Sequence, residues 1–140
     1  MNDKNVIKLQ EKRFYLSHSG DNEQVVITTR QLAAKIGFSR TDEVLIATAA
    51  SELATNTLRY AQKGEMLLSQ ISCEGFLGIE IIASDQGPGI ENIELALQEH
   101  YTTTKKSLGL GLPSVKRIMD EFRIESEVGK GTYVQVRKWK

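Results

Sequence analysis

The chain has 140 residues, 18 basic and 18 acidic side chains, a formal net charge of zero and one cysteine. This length fits a single domain over 1–140 that can bury a real core. Charge balance excludes a global field for nucleic acid or anionic membrane, and the lone Cys73 excludes an intramolecular disulfide or a cysteine metal cluster. With no apolar leader at Met1–Asn5 and no long apolar run, the expectation is a soluble cytoplasmic protein that binds neither nucleic acid nor membrane.

Near-alternating apolar positions from Val6 to Ser17 predict one or two edge strands, and Ser19-Gly20-Asp21-Asn22 predicts a turn. From Glu23 the period becomes helical: Val25, Val26, Thr29, Leu32, Ala33 and Ile36 share a face, and Gly37 stops it. Arg30 and Lys35 fall on the solvated side. A second helix opens at Ser39 or Thr41, with early acids suited to its dipole, and ends before Lys63-Gly64. Glu52 and Asn56 lie one turn apart on one face of it. A carboxylate and a carboxamide beside an apolar stripe are expensive unless something polar meets them; facing water is the plain alternative.

Glu65–Glu74 and Phe76–Ala83 predict a hairpin turning at Glu74-Gly75, its second strand mostly buried. That strand runs into Asp85-Gln86-Gly87-Pro88-Gly89-Ile90. There a carboxylate is placed to accept a hydrogen bond from a ligand's amino group, and glycines allow close backbone approach. An ordinary tight turn fits the same hexapeptide. Ile93–Leu97 predicts a short helix, and His100–Ser107 a polar stretch without periodicity. Leu108-Gly109-Leu110-Gly111-Leu112-Pro113 then opens a helix to about Glu121. Glycines before a helix start leave backbone N–H groups free for phosphate, and Pro113 suits an early helical position. A last hairpin follows: strand Phe122–Val128, turn Gly129-Lys130-Gly131, strand Thr132–Trp139.

Taken together, E-x-x-x-N on a helix, D-x-G-x-G after a strand, G-x-G-L opening a helix and G-x-G-T in a final hairpin resemble the GHKL ATPases. These are the gyrases, the heat-shock chaperone, the histidine kinases and the mismatch-repair ATPases. Ile46–Ala54, Ala83–Ile90, Gly111–Phe122 and the Lys138-Trp139 ending resemble one branch of them. That branch is the small stand-alone serine kinases of stressosome-type partner switching, which regulate bacterial sigma factors.

The resemblance implies an α/β (α+β) two-layer sandwich, the Bergerat ATP-binding fold, with a mixed, mainly antiparallel sheet and helices on one face. It implies ATP and Mg²⁺ as cofactors. Asn56 would ligate the Mg²⁺, and Glu52 would be the general base for the substrate serine. Asp85 would bind the adenine amino group with support from Thr132, and Gly87, Gly89 and Ile90 would frame the base. Gly109, Leu110, Gly111 and Leu112 would offer amides to the phosphates. Thr102–Ser107 would form a lid, with Thr104 and Lys105 (or Lys106) reaching the nucleotide. Three threonines and two lysines there depart from the small, glycine-rich residues of the family pattern. Arg59 and Tyr60 acquire no role.

The partners implied are STAS-domain antagonist or scaffold proteins and a PP2C-type phosphatase activated when the kinase is released. The alternative is an ATP-gated anti-sigma factor that docks a sigma factor. A detached histidine-kinase ATP domain fits less well, because His18 and His100 fall in a turn and the lid and no phosphoacceptor helices are present in the sequence.

Overall fold

The computed structural model describes residues 5–98 and 111–140. Five strands form one sheet in the order β1-β2-β3-β5-β4: β1 Val6–Leu16, β2 Gly64–Cys73, β3 Phe76–Asp85, β4 Glu121–Glu127 and β5 Gly131–Trp139. The sheet expected to be mixed and mainly antiparallel is antiparallel at every pairing among the described residues. The helices are α1 Asp21–Ile36, α2 Arg40–Asn56, α3 Ile93–Ala96 and α4 Leu112–Ile118. This is the α/β sandwich that the sequence motifs imply. No helix among the described residues is long and apolar enough to cross a membrane.

Local chemistry sets the boundaries. β1 is one strand, not two, with a register shift between Leu9 and Lys12 where Gln10 takes φ 52°. Such a bulge roughens an unpaired edge. α1 begins at Asp21, inside the expected turn. The Asp21 carboxylate accepts from the N–H groups of Ser17 (2.9 Å) and His18 (3.0 Å), which fixes the chain entering the helix. Those bonds, Ser17 first, hold the Asp21 carboxyl below its ordinary value. At the other end Phe38 N–H reaches Ala33 O and Gly37 N–H reaches Ala34 O, both at 3.1 Å, the paired closure that a left-handed glycine permits. Ser39 caps α2 by accepting from Asp42 N–H at 3.1 Å. Arg30 is not simply solvated: its Nε donates to Glu43 at 3.0 Å and ties α1 to α2.

α4 stops at Ile118, short of the Glu121 expected from periodicity. Met119 is extended, Asp120 N–H donates to Arg137 O at 2.9 Å, and Glu121 already opens β4. Lys138 Nζ takes the Ile118 carbonyl at 2.9 Å, a cation on the helix's negative end.

Alternation splits the sheet into two faces. Met66, Leu68, Ile79, Ile81, Ala83, Val134 and Val136 point at the helices and join Val25, Ile46, Leu53, Leu112 and Val115 in one core. On the opposite face lies a buried ionic cluster. Glu80 is 1% exposed and Arg137 4%. Glu80 receives Lys8 Nζ at 2.8 Å, Arg137 Nε at 2.8 Å and Gln135 Nε2 at 3.1 Å, linking β1, β3 and β5 across β2. Ser69, its small buried partner on β2, leaves room for the lysine to pass.

Candidate active site

A cavity of about 740 Å³ opens between the C-terminal end of α2, the end of β3 and the start of β5. Its volume suits a nucleotide-sized ligand. Asn56, the last residue of α2, lines it together with Asp85, Gly89, Ile90, Leu112 and Thr132. Six residues singled out in the sequence therefore converge on one space from four parts of the chain.

Asp85 closes β3 and pairs across the sheet with Thr132. Its Oδ1 accepts from Gly87 N–H at 2.9 Å. Burial lifts the Asp85 carboxyl above its ordinary value of 3.8, against the pull of hydrogen bonds from Gly87 and Thr132 backbone N–H groups. A half-buried carboxylate with capacity to accept more is suited to a ligand N–H. Gly87 itself is not part of the lining; its role is that amide, and a side chain there would strike Ala61. Gly89 has φ 78°, and a Cβ on it would fall on the Glu127 carbonyl, so the loop can lie this close to β4 only as glycine. The contact is fastened by Gly129 N–H donating to Pro88 O at 2.9 Å.

Glu52 lies outside the cavity lining, one turn before Asn56, half-buried. Gly111 caps α4 in the left-handed conformation (φ 66°), and a side chain on it would occupy the place of the Glu52 carboxylate. The E-x-x-x-N helix and the glycine-rich helix start thus meet at Glu52. From the other side Asn22 of α1 braces this turn of α2, its Nδ2 donating to Ser51 Oγ at 3.1 Å and Thr55 Oγ1 at 3.2 Å. Thr104, Lys105, Gly109 and Leu110 lie outside the described residues.

Among the described residues no group of three or more His, Cys, Asp and Glu side chains could hold a metal ion. A hard cation carried mainly by phosphate oxygens and water needs few protein ligands, and Asn56, which carries an amide oxygen, lines the cavity.

Sequence reasoning missed Tyr60. α2 does not end cleanly: Thr57–Ala61 form a π-helical turn that closes at Gln62 with φ 72°. The wider turn rotates Tyr60 onto the cavity wall, with the Arg59 guanidinium 5.9 Å from its ring centroid. A 3.6-residue period carries no sign of such a turn.

Comparison with known proteins follows the same lines. The sequence pattern of the family "Histidine kinase-, DNA gyrase B-, and HSP90-like ATPase" matches residues 41–140. This chain belongs to that ATPase family. Among family members, the serine/threonine-protein kinase RsbT of Bacillus subtilis is 46% identical over 110 residues, 79% of this chain and 82% of that protein. An anti-sigma F factor of Caldanaerobacter subterraneus is 31% identical over 130 residues, 89% of this chain and 90% of that one. Two solved structures share the ATPase fold. The catalytic domain of histidine kinase ThkA superposes with a TM-score of 0.51 at 15% identity, covering 93% of this chain and 95% of that one. Full-length ShkA in complex with AMPPNP gives 0.52 at 19%, covering 84% of this chain, which spans 28% of ShkA.

Proposed function

We propose that this member of the ATPase family is an ATP-dependent protein serine/threonine kinase of a partner-switching pathway. Its substrate is a serine or threonine on a STAS-domain antagonist or scaffold protein, and its release activates a PP2C-type phosphatase. The observation that carries this reading is the meeting of Glu52 with the α4 start at Gly111, one helical turn from Asn56 at the cavity. On this reading Glu52 is the base, Asn56 the metal-binding amide and the α4 start the phosphate-binding element. The likeness to a protein named as a serine/threonine kinase supports it.

Phosphoryl transfer asks mainly for positioning and charge neutralisation. Mg²⁺, when bound with ATP, supplies the neutralising charge. Asp85 holds the base through an N–H···carboxylate bond, and Tyr60 offers an aromatic wall. Asn56 gives an oxygen toward the metal. Glu52 accepts the proton of the acceptor hydroxyl. The core under α2 and the Asn22 brace keep Glu52 and Asn56 in one register.

Asp85→Asn should weaken ATP binding by about 1.5–3 kcal/mol, roughly 10- to 150-fold, because a charge-assisted bond is lost. Isothermal titration measures this, and unchanged affinity would remove Asp85 from the site. The pH dependence has a definite sign. A ligand N–H favours ionised Asp85, so affinity is full above the carboxyl's free-state value and falls as pH drops through it. Because burial raises that value above 3.8, the fall starts at a higher pH than for an ordinary aspartate, and Asp85→Asn should abolish it.

The likeness to an anti-sigma F factor favours a second reading, an ATP-gated module that docks a sigma factor. Transfer of ³²P from ATP–Mg²⁺ to a STAS-domain protein separates the two. Label on serine or threonine supports the kinase. Mg²⁺-dependent ATP binding and sigma-factor capture without transfer support the binding module.

A further inference from the structure

Ser126, on β4, makes three contacts that together determine where its single proton goes. Its Oγ accepts from Ile90 N–H at 2.7 Å, lies 3.0 Å from the Gly131 carbonyl, and lies 2.8 Å from Thr132 Oγ1. A carbonyl can only accept, so the serine proton belongs to Gly131 O. The remaining contact is a hydrogen bond only if Thr132 donates its own proton to Ser126. All three contacts are satisfied by one arrangement alone. In it Thr132 has no proton left for the cavity and presents lone pairs. Asp85, its cross-strand neighbour, presents a carboxylate beside it, and both line the cavity.

We propose that Ser126 is a specificity-determining positioning residue: by fixing Thr132 as an acceptor, it makes this end of the cavity select an exocyclic amino group over a keto oxygen. The inference rests on the nucleotide reading above. An amino group brings two N–H donors to the two acceptors. A 6-keto oxygen there meets lone pairs on both sides. Without Ser126 the Thr132 hydroxyl is free to rotate and can turn its proton toward a keto oxygen, so the barrier against a 6-keto purine falls.

Ser126 also anchors Ile90 N–H, and loss of that anchor loosens the loop for any nucleotide. The ratio of affinities for two nucleotides cancels this shared effect and isolates the polarity. Isothermal titration with ADP and IDP, which differ at the purine 6-position and in the proton that the keto form carries on N1, reads it in wild type, Ser126→Ala, Thr132→Val and the double variant. The ADP:IDP affinity ratio should fall about fivefold in Ser126→Ala, the worth of one neutral hydrogen bond. In the Thr132→Val background the same change should leave the ratio unmoved, because Ser126 acts through that hydroxyl. Ser126→Cys, nearly isosteric and a poor hydrogen-bonding group, should repeat the Ala result with packing kept.

A ratio unchanged in both Ser126 variants, or falling equally with and without the Thr132 hydroxyl, overturns the proposal while leaving ATP binding standing. Wild type that binds IDP as well as ADP overturns the selection of an amino group and this proposal with it, while wild type that binds neither nucleotide overturns the nucleotide reading itself.

Discussion

Glu52→Gln should lower phosphoryl transfer by about 10²- to 10⁴-fold, the range for removing a general base. Nucleotide affinity should stay within about threefold of wild type, less than the tenfold that 1.4 kcal/mol would give. The split follows from position. Glu52 lies outside the cavity lining while its helical neighbour Asn56 lies within it. Glutamine preserves the shape that Gly111 leaves for the side chain, so the α4 start is not displaced. Single-turnover transfer to a STAS-domain protein, run beside ADP titration, makes the measurement. A rate loss below tenfold would exclude Glu52 as the base. A parallel collapse of ADP affinity would show instead that Glu52 holds the helix start in place.

The second large effect is on stability and lies on the other side of the sheet. Glu80→Ala should destabilise the fold by about 3 kcal/mol, the lower end of the range for breaking a buried ion pair. Arg137 would stay 4% exposed with its main partner gone. The lower end applies because Glu121 lies 3.5 Å from Arg137 Nη1 and takes part of the charge. Its other oxygen is also engaged, by the Trp139 indole N–H. Urea unfolding reads the loss, and a value under about 1 kcal/mol would reduce the cluster to the rank of a surface pair. Replacing Glu80 by Leu and Arg137 by Met together should recover most of it, since well-packed apolar pairs often equal a buried ion pair. ADP affinity should be unchanged in each stable variant, because the cluster and the cavity occupy opposite faces.

What the sequence made legible is chemistry at short range. Glu52 and Asn56 sit at helical spacing, Asp85 ends a buried apolar run, and Gly111 immediately precedes its helix; each is a local pattern with a local cause. That these pieces belong together came from the order of motifs, which matches a known family; Asn56 and Asp85 line the cavity, and Glu52 meets Gly111 beside it. What stayed hidden is long-range or off-period. Ser126 meets Ile90 across 36 residues and Arg137 meets Glu80 across 57, and both are ordinary polar positions on alternating strands. Tyr60 is placed by a π turn that no 3.6-residue pattern encodes. The helix drawn to Glu121 ran too far because apolar spacing continues past Ile118, while pairing with β5 takes the backbone at Asp120.

The sheet order bears on how the protein is made. β5 is the last strand in the chain, yet it lies inside the sheet, between β3 and β4. While the chain emerges from a ribosome, β3 is paired with β2 on one side only, and its other edge waits through α3, α4 and β4. Pairings so distant in sequence form slowly. Until β5 arrives, β3 offers Ile79, Ile81 and an open row of backbone donors and acceptors to any neighbouring chain. Thr132 and Val134 reach the nucleotide cavity on the same strand that closes this edge. Nucleotide binding and protection from aggregation should therefore appear together in a nascent chain, at one late step.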